Sequence, residues 1–209
     1  MDLDHLYAGT LYTISAPSGA GKTSLLKSLV KSMDNIELSV SHTTRPARKG
    51  EKEGIDYYFI DQEKFAEMLE KTLFLEHAQV FDNYYGTSQR EVFEKLAKGV
   101  DVILEIDWQG AQQVRKMHAD SVGIFILPPS LETLERRLRK RGKDSDEVIR
   151  RRMQKAENEM SHYIEFDYLV INDDFSKALK NLQTIFYSQR LSHRVQTQKN
   201  QKLLMRLFS

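Results

Sequence analysis

The sequence predicts an α/β protein in which helices flank a parallel β-sheet. Two observations support this fold class. Short and largely apolar runs recur along the chain, and such runs are typical of strands buried on both faces of a parallel sheet. Longer segments between them carry apolar residues at helical spacing, so that strands and helices alternate as in β–α–β units.

The length and composition are those of an ordinary globular protein. A chain of 209 residues can bury one sizeable core, and its shares of 40% hydrophobic and 29% charged residues are typical of water-soluble domains. No apolar run approaches the roughly 20 residues that a membrane-spanning helix needs, and the N-terminal "MDLDHLYAGT" is acidic where a signal peptide would be basic. The chain has no cysteine, which excludes disulfides and thiolate metal sites and fits a cytoplasmic protein without a membrane partner.

The elements of the main fold follow in order along the chain. Strands are expected at 11–15 ("LYTIS"), 100–106 ("VDVILEI"), 122–127 ("VGIFIL") and 168–171 ("YLVI"). Helices are expected at 23–33, 88–98, 108–118 and 176–190.

Two segments interrupt this alternation. Residues 41–87 are rich in polar and aromatic residues, with short strand-like pieces around one helical stretch, and predict an inserted α+β unit. Residues 131–162 predict a charged helical hairpin that breaks at "RGKDSD", where Gly142 ends one helix and Asp144 or Ser145 caps the next. Because the hairpin has little core of its own, we expect it to move.

The C-terminal segment differs from the rest in charge. From Phe175 onward the chain has seven Lys and Arg residues and no Asp or Glu, so that the first 174 residues carry about −6 of the net +1. Its interleaved apolar residues favour a solvated or packing helix, and contact with a polyanion or partner is the alternative. We expect no nucleic acid partner and leave a homo-oligomer open.

A glycine-rich loop between the first strand and first helix predicts a phosphate-binding site. The loop "APSGAGKT" matches G-x-x-x-x-G-K-[ST] at every position but the first, and an ordinary glycine-rich turn would not combine this motif with a strand before and a helix after it. Backbone N–H groups from Ser18 to Thr23 can converge on an anion at the helix N-terminus. Lys22 would reach the β- and γ-phosphates, and the Thr23 hydroxyl would join a Mg²⁺ shell. The nucleotide-binding residues are Ala16, Pro17, Ser18, Gly19, Ala20, Gly21, Lys22, Thr23 and Ser24.

Ala16 stands where the motif has its first glycine. A glycine is needed there only if the backbone takes positive φ or if a Cβ would strike the phosphates, and Gly19 and Gly21 are better placed to meet these demands. Because Pro17 follows, Ala16 is biased toward extended backbone at negative φ, where alanine is unstrained. We therefore expect the substitution to be harmless.

The inserted unit predicts a second phosphate site, which favours a kinase over other P-loop proteins. No guanine-reading N-K-x-D of a switch GTPase is present. Arg45 and Arg48 can both bind one phosphate, with the hydroxyl of Tyr57 completing the cage. Guanine presents two adjacent N–H donors, and a carboxylate such as Glu76 is their natural acceptor. The hydroxyls of Ser41 and Thr87 can serve the O6/N7 edge of the base, and Tyr85 lies in the same stretch as Thr87.

The chain resembles a guanylate kinase of the bacterial type, from about Gly9 to Arg190. The stretches that carry the resemblance are "SAPSGAGKTSLL", "SVSHTTRPARKGEKEGIDYYF", "FLEHAQVFDNYYGTS", "ILEIDWQGAQQV", "PPSLETLERRLRKRG" and "VINDD". The resemblance implies that the GMP phosphate is held by Arg45, Arg48, Tyr57 and Tyr85, and that guanine is read by Ser41, Glu76, Thr87 and Asp107. The family often has serine where this chain has Thr87, and threonine keeps the hydroxyl.

Two further groups gain roles from the resemblance. Glu105 and Asp107 lie at the carboxyl end of a buried strand, where ligands of open α/β sheets gather, and period-2 geometry directs both to one face. The resemblance implies that Glu105 orients Mg²⁺ through water and that Asp107 faces GMP. It also implies that Arg137, Arg141 and Arg152 are lid arginines that close over the ATP phosphates together with Lys22, and that Asn172 lies on the adenine side.

The implied fold is a P-loop NTPase-type parallel sheet flanked by helices, with a GMP-binding α+β insertion and a helical lid. Its expected divisions are a core of residues 1–40, 97–130 and 164–209, an insertion at 41–96 and a lid at 131–163. The implied activity is phosphoryl transfer from ATP to GMP, and to dGMP, with Mg²⁺ in purine nucleotide metabolism. The alternatives are a guanylate-kinase-like module that binds phosphorylated protein segments, which intact Lys22 and Thr23 disfavour, and a P-loop kinase with another acceptor, which Glu76, Ser41 and Thr87 disfavour.

Overall fold

The computed structural model of the protein describes residues 9–80, 82–140 and 145–208. Its strands are β1 (Leu11–Ser15), β2 (Ile36–Leu38), β3 (His42–Thr43), β4 (Tyr58–Phe59), β5 (Phe74–Val80), β6 (Asn83–Ser88), β7 (Asp101–Glu105), β8 (Val122–Leu127) and β9 (Tyr168–Ile171). Its helices are α1 (Lys22–Ser32), α2 (Gln62–Glu70), α3 (Gln89–Ala97), α4 (Trp108–Met117), α5 (Leu131–Lys140), α6 (Asp146–Ser161), α7 (Phe175–Arg190), α8 (His193–Lys199) and α9 (Gln201–Phe208). A 3₁₀ turn, His162–Glu165, joins α6 to the segment before β9.

The main sheet is parallel, as the apolar runs predict. Its five strands have the order β2-β7-β1-β8-β9, and every neighbouring pair is parallel. The four strands expected from sequence are all present, and β2 adds a short edge strand that was not predicted. Because the strands are parallel, their carboxyl ends share one edge, and β1 brings its following loop to the middle of it.

Helices cover both faces of this sheet, and each face has its own buried cluster. On one face α1 and α7 pack through Leu25, Leu29 and Phe186, and the ring of Tyr12 stacks on Phe186 with centroids 3.8 Å apart. On the other face α3 packs against β7 and α4 packs against β1, and their apolar residues share one buried cluster. The sheet is therefore buried on both sides, which explains why its strands are apolar throughout.

The inserted unit forms a second sheet between β2 and β7 in the chain. Its strand order is β4-β3-β6-β5, with one parallel and two antiparallel pairings. Helix α2 buries Phe65 against the rings of Phe74 and Tyr84, at centroid distances of 4.6 and 5.4 Å. Leu75 of β5 packs into the cluster beneath α3 and α4, so the small sheet is joined to the main core. The predicted α+β unit is confirmed.

The charged hairpin is α5 followed by α6. Ser145 caps α6 by accepting the N–H of Val148, whereas Gly142 and Asp144 lie outside the described residues. The hairpin has a small core of its own in which Leu134, Leu138 and Ala156 are buried.

The C-terminal segment folds as two helices after α7. Val195 of α8 is buried, and the side chain of Gln196 donates to the carbonyl of Arg190. In α9, by contrast, Leu203, Leu207 and Phe208 are exposed. Packing is thus observed for α8, whereas among the apolar residues of α9 only Leu204 is half-buried. Within the described parts of the chain, no helix is both long and apolar enough to cross a membrane.

A buried carboxylate ties the end of α7 to the amino end of β7. Asp101 accepts the N–H of Thr10 at 2.8 Å and the Nε of Arg190 at 2.7 Å, while Arg190 also donates to the carbonyls of Asp34 and Asn35. We expect Arg190→Met to lower the free energy of unfolding by about 2–4 kcal/mol, because it leaves the carboxylate buried without its cation.

Urea denaturation measures this loss, and Arg206→Met on the exposed α9 is the matched control, expected to change stability by about 0.5 kcal/mol or less. A loss for Arg190→Met no larger than that of the control would show that the N–H of Thr10 alone satisfies Asp101.

Candidate active site

The phosphate loop joins β1 to α1 at the middle of the sheet edge. Gly19 and Gly21 have φ values of +97° and +93°, whereas Asn35 and Thr72 are the only non-glycine residues with positive φ in the described ranges. Ala16 is therefore at negative φ, as expected.

Space as well as backbone angle explains the two glycines. A Cβ on Gly21 would lie 2.5 Å from Nδ2 of Asn172, and one on Gly19 would lie 2.9 Å from Cδ2 of Leu138. We expected a side chain at Gly21 to crowd the phosphates, but in the structure its nearest obstacle is Asn172.

A cavity of about 240 Å³ opens over the loop. Its wall is formed by Ala16, Pro17, Ser18, Gly19, Gly21, Lys22, Thr23, Ser24 and Glu159. Of the predicted loop residues only Ala20 is outside this wall, because it is buried and its N–H donates within the loop to the carbonyl of Pro17 at 3.1 Å. The N–H of Ala20 is therefore bonded within the loop in this structure.

Side chains of the loop are held at the carboxyl end of β7. The carbonyl oxygen of Ile106 accepts two hydrogen bonds, one from Oγ of Ser15 at 2.9 Å and one from Nζ of Lys22 at 3.1 Å. Oγ1 of Thr23 donates to Oε1 of Glu105 at 2.6 Å. The predicted grouping of Lys22, Thr23 and Glu105 is thus present.

Charges around Lys22 connect the two halves of the site. Burial lowers the pKa of Lys22, and the carboxylates of Glu105 and Asp107 oppose that shift. Asp107 caps α4 by accepting the N–H of Gly110 at 2.9 Å, and its charge also raises the pKa of Glu76. Asp107 therefore lies between the phosphate loop and the region predicted to read guanine.

The residues predicted for the lid and the adenine side differ in their contacts with the phosphate loop. Asn172 is buried and donates from Nδ2 to the carbonyl of Ala20 at 2.6 Å, so its side chain supports the loop. Arg137 of α5 donates to the carbonyls of Ala20 and Asn172, at 3.3 and 2.9 Å. Arg152 is on α6, two helical turns before Glu159 and on the same helix face. Arg141 lies outside the described residues.

Ser41, Thr87 and Glu76 form a polar chain in the small unit, in which Thr87 and Glu76 are buried and Ser41 is half-buried. Oγ1 of Thr87 donates to Oε1 of Glu76 at 2.5 Å, and the hydroxyls of Ser41 and Thr87 are 3.3 Å apart. Burial raises the pKa of Glu76 to about 7, with the hydrogen bond from Thr87 opposing the shift. A carboxylate and two hydroxyls are therefore adjacent, as the guanine hypothesis requires.

The predicted phosphate cage gathers around Arg45. Its guanidinium carbon is 5.4 Å from the ring centroid of Tyr57, and the rings of Tyr57 and Tyr85 are 5.9 Å apart at 67°. Burial raises the pKa of Tyr57, and the neighbouring Tyr85 and the charge of Glu105 raise it further. Arg48 is exposed on the turn that follows Arg45.

Comparison with known proteins identifies the family. The guanylate kinase family model matches residues 8–189. The chain belongs to the guanylate kinase family. It is 56% identical to a guanylate kinase of Saccharophagus degradans over 96% of this chain and 98% of that protein, and 60% identical to one of Hahella chejuensis over 90% of each.

A solved structure supports the fold of the family. The crystal structure of guanylate kinase from Anaplasma phagocytophilum has a TM-score of 0.73 and 37% sequence identity, and covers 90% of this chain and 89% of that one.

Two carboxylates of this guanylate kinase family member were missed from sequence. Glu51 binds Arg45, and Glu159 of α6 accepts the N–H of Ser18 in the phosphate loop. Burial raises the pKa of Glu159, and charges from Lys155 and Lys22 oppose this shift. Both residues lie in runs of charged residues, where nothing distinguishes them from solvated surface positions.

The loop glycine and alanine provide a matched pair of substitutions. We expect Gly21→Ala to abolish ATP binding, because the new Cβ meets Asn172 at a φ that alanine disfavours. Ala16→Gly should leave the ATP KM within about twofold and cost a few tenths to about 1 kcal/mol of stability through unfolded-state entropy. Steady-state kinetics and urea denaturation test both; tenfold tighter ATP binding by Ala16→Gly would show that Ala16 impairs the loop.

The raised pKa of Glu76 predicts how base recognition depends on pH. Only the ionised carboxylate can accept both guanine donors, so guanine binding should weaken below a pH of about 7 and approach a tenfold loss per pH unit. The measurement is competitive inhibition by guanosine between about pH 5.5 and 8.5, a range that spans roughly one to two pH units on each side of that pKa. Guanosine is used because it has no phosphate, whereas the phosphate of GMP would itself titrate in this range. Glu76→Gln should bind weakly with a flat profile, and a flat profile in the unsubstituted protein would contradict this assignment.

Proposed function

We propose that this chain transfers the γ-phosphoryl group of ATP to GMP and releases ADP and GDP. The observation that carries the proposal is the polar chain of Ser41, Thr87 and Glu76, which lies across Asp107 from an intact phosphate loop. Membership of the guanylate kinase family supports the same activity.

The donor site is the cavity over the phosphate loop. Its size of about 240 Å³ suits the phosphates of a nucleotide rather than the whole molecule, and Lys22 lies in its wall. Free amides and the N-terminus of α1 favour an anion at this place. We assign ATP to it, with Asn172 supporting the loop through its hydrogen bond to the carbonyl of Ala20.

The oxygens beside Lys22 fit a magnesium ion. Thr23 and Glu105 place a hydroxyl and a carboxylate 2.6 Å apart at the edge of the cavity. Mg²⁺ prefers oxygen ligands and is usually held by one or two protein groups together with substrate phosphates. The described residues contain no cluster of three or more His, Cys, Asp or Glu side chains that could hold a metal by themselves, which agrees with a site completed by ATP. When bound, the ion would neutralise charge on the transferring phosphates.

The acceptor site is the face of the small sheet that carries the polar chain and the phosphate cage. Glu76 would accept from guanine N1–H and the exocyclic amine, and the two hydroxyls would bind its O6/N7 edge. Arg45, Arg48, Tyr57 and Tyr85 would hold the phosphate. dGMP keeps the base and the phosphate that these residues contact, so it is a second acceptor.

Catalysis by this arrangement is a matter of alignment and charge. The attacking phosphate oxygen of GMP is already anionic and needs no general base. The protein must hold the two phosphates in line and stabilise the charge that spreads over the transferred group. Lys22 and the lid arginines Arg137, Arg141 and Arg152 carry that role in the proposal. Closure of the lid would also exclude water that could hydrolyse ATP.

In this proposal each predicted domain has its own role in binding the substrates. Residues 1–40, 97–130 and 164–209 would supply the ATP site together with Asp107 on the GMP side, 41–96 would supply the other GMP contacts, and 131–163 would close over the phosphates. The two alternative functions keep one half of this arrangement: a phosphopeptide-binding module would have no use for Lys22 and Thr23, and a kinase for another acceptor would have no use for Glu76. A cytoplasmic location agrees with these soluble substrates.

A coupled assay of ADP release across GMP, AMP, CMP, UMP and dTMP tests the activity. GMP should be the strongly preferred acceptor, and Glu76→Ala should reduce kcat/KM for GMP by the equivalent of about 1–3 kcal/mol with the ATP KM little changed. Equal rates with AMP and GMP would contradict the assignment of Glu76. ATP-independent binding of GMP without any ADP release would favour the binding module.

A further inference from the structure

We propose that Glu51 is a positioning residue for the acceptor phosphate, since its carboxylate holds Arg45 in the phosphate cage before GMP arrives. The inference deepens the proposed function and rests on the assignment of Arg45 to the GMP phosphate. Glu51 belongs to neither the guanine-reading chain nor the phosphate loop.

The backbone places Glu51 at the end of a tight turn. The N–H of Glu51 donates to the carbonyl of Arg48 at 3.0 Å, and Gly50 between them has φ +95°, as the third position of a type II turn requires. Oε2 of Glu51 then accepts the N–H of Arg48 at 2.7 Å. The side chain is thereby folded back over the turn and directed toward Arg45.

The same carboxylate fixes the side chain of Arg45. Nη2 of Arg45 is 2.9 Å from both Oε1 and Oε2 of Glu51, and Nη1 donates to the carbonyl of Pro46 at 2.7 Å. The side chains are only 11% and 21% exposed, unlike those of an ordinary surface ion pair. One carboxylate thus binds the guanidinium of one cage arginine and the backbone of the other.

The cage tyrosines complete the placement of Arg45. Tyr85 makes a side-chain hydrogen bond with Arg45, and the ring of Tyr57 lies beside the guanidinium. Burial would lower the pKa of Arg45, but the hydrogen bonds with Glu51 and Tyr85 outweigh it and raise that pKa. The guanidinium of Arg45 remains charged among these contacts, whereas Arg48 is exposed on the turn.

Two effects of Glu51 on phosphate binding oppose each other. Its charge repels a phosphate, whereas its hydrogen bonds remove the rotamer freedom that a long arginine side chain would otherwise lose when GMP binds. A guanidinium has five N–H donors, so those not bound to Glu51, Pro46 or Tyr85 remain for the ligand. Because Arg45 is already ordered and partly buried, we take preorganisation to be the larger effect.

The test separates the phosphate end of GMP from its base. We expect Glu51→Ala to raise the calorimetric Kd and the KM for GMP about tenfold or more, with kcat and the ATP KM changed by no more than about twofold. Inhibition by guanosine, which lacks the phosphate, should stay within about twofold of the unsubstituted protein. Glu51→Gln keeps an acceptor oxygen, so its Kd for GMP should lie between that of Glu51→Ala and that of the unsubstituted protein. Glu70→Ala at the exposed end of α2 is the matched control and should leave GMP binding unchanged.

Three results would overturn the inference. GMP binding unchanged in Glu51→Ala would make the contact a surface ion pair, and tighter binding would show that repulsion dominates. An equal loss of guanosine and GMP binding would mean that the whole unit is disturbed. Because calorimetry measures GMP binding without turnover, an absence of phosphoryl transfer would contradict the proposed function but not the role of Glu51.

Discussion

The carbonyl oxygen of Ile106 is the point on which the rest of the site depends. It accepts hydrogen bonds from Ser15 at the end of β1 and from Lys22 at the start of α1, so it closes the phosphate loop against the neighbouring strand. Parallel pairing of β1 with β7 sets Ile14 opposite Glu105 and makes this contact possible. The same register brings Thr23 to Glu105. One strand pairing therefore arranges the cation, the hydroxyl and the carboxylate that phosphate and magnesium chemistry would use.

The carboxylate proposed to recognise the base lowers the stability of the folded protein. The pKa of Glu76 is raised to about 7 in the folded protein, well above the usual value of a glutamate. The folded state thus binds a proton more readily than the unfolded state, so this residue lowers stability as pH rises from the ordinary carboxyl range to about 7. The hydrogen bond from Thr87 offsets part of the cost. Such an arrangement is expected where a carboxylate is kept for a ligand rather than for stability.

The lid and the core meet through residues that carry no predicted chemistry. The ring of His162 stacks on Trp108 with centroids 3.5 Å apart, and His162 contacts Glu165 at 2.6 Å. Gln112 of α4 binds the same glutamate. Trp108 directly follows Asp107, so the 3₁₀ turn after α6 is attached beside a residue of the proposed site. Glu159 extends this connection, because it brings a carboxylate from the lid helix to an amide of the phosphate loop.

The sequence by itself determined the parallel sheet, the phosphate loop and most of the helices. Apolar runs, helical periodicity and a local motif depend on residues that are close together in the chain, so they can be recognised without knowledge of the fold. It also placed Ser41, Glu76 and Thr87 in one site, although the insertion had to fold before their hydroxyls and carboxylate could be seen to touch. The negative φ of Ala16 followed from Pro17, a purely local constraint.

Only the tertiary structure decided which polar groups meet across long sequence separations. Asn172 is 152 residues from Ala20 in the chain, and its side chain binds the carbonyl of Ala20. Glu159 contacts Ser18 of the phosphate loop from α6. The contact between Glu51 and Arg45 spans few residues, yet it depends on a turn at Gly50 and on two tyrosines, Tyr57 just before β4 and Tyr85 in β6. Charged residues in a polar segment resemble solvated surface in the sequence. Their roles are set by burial and by partners, which arise when the chain packs.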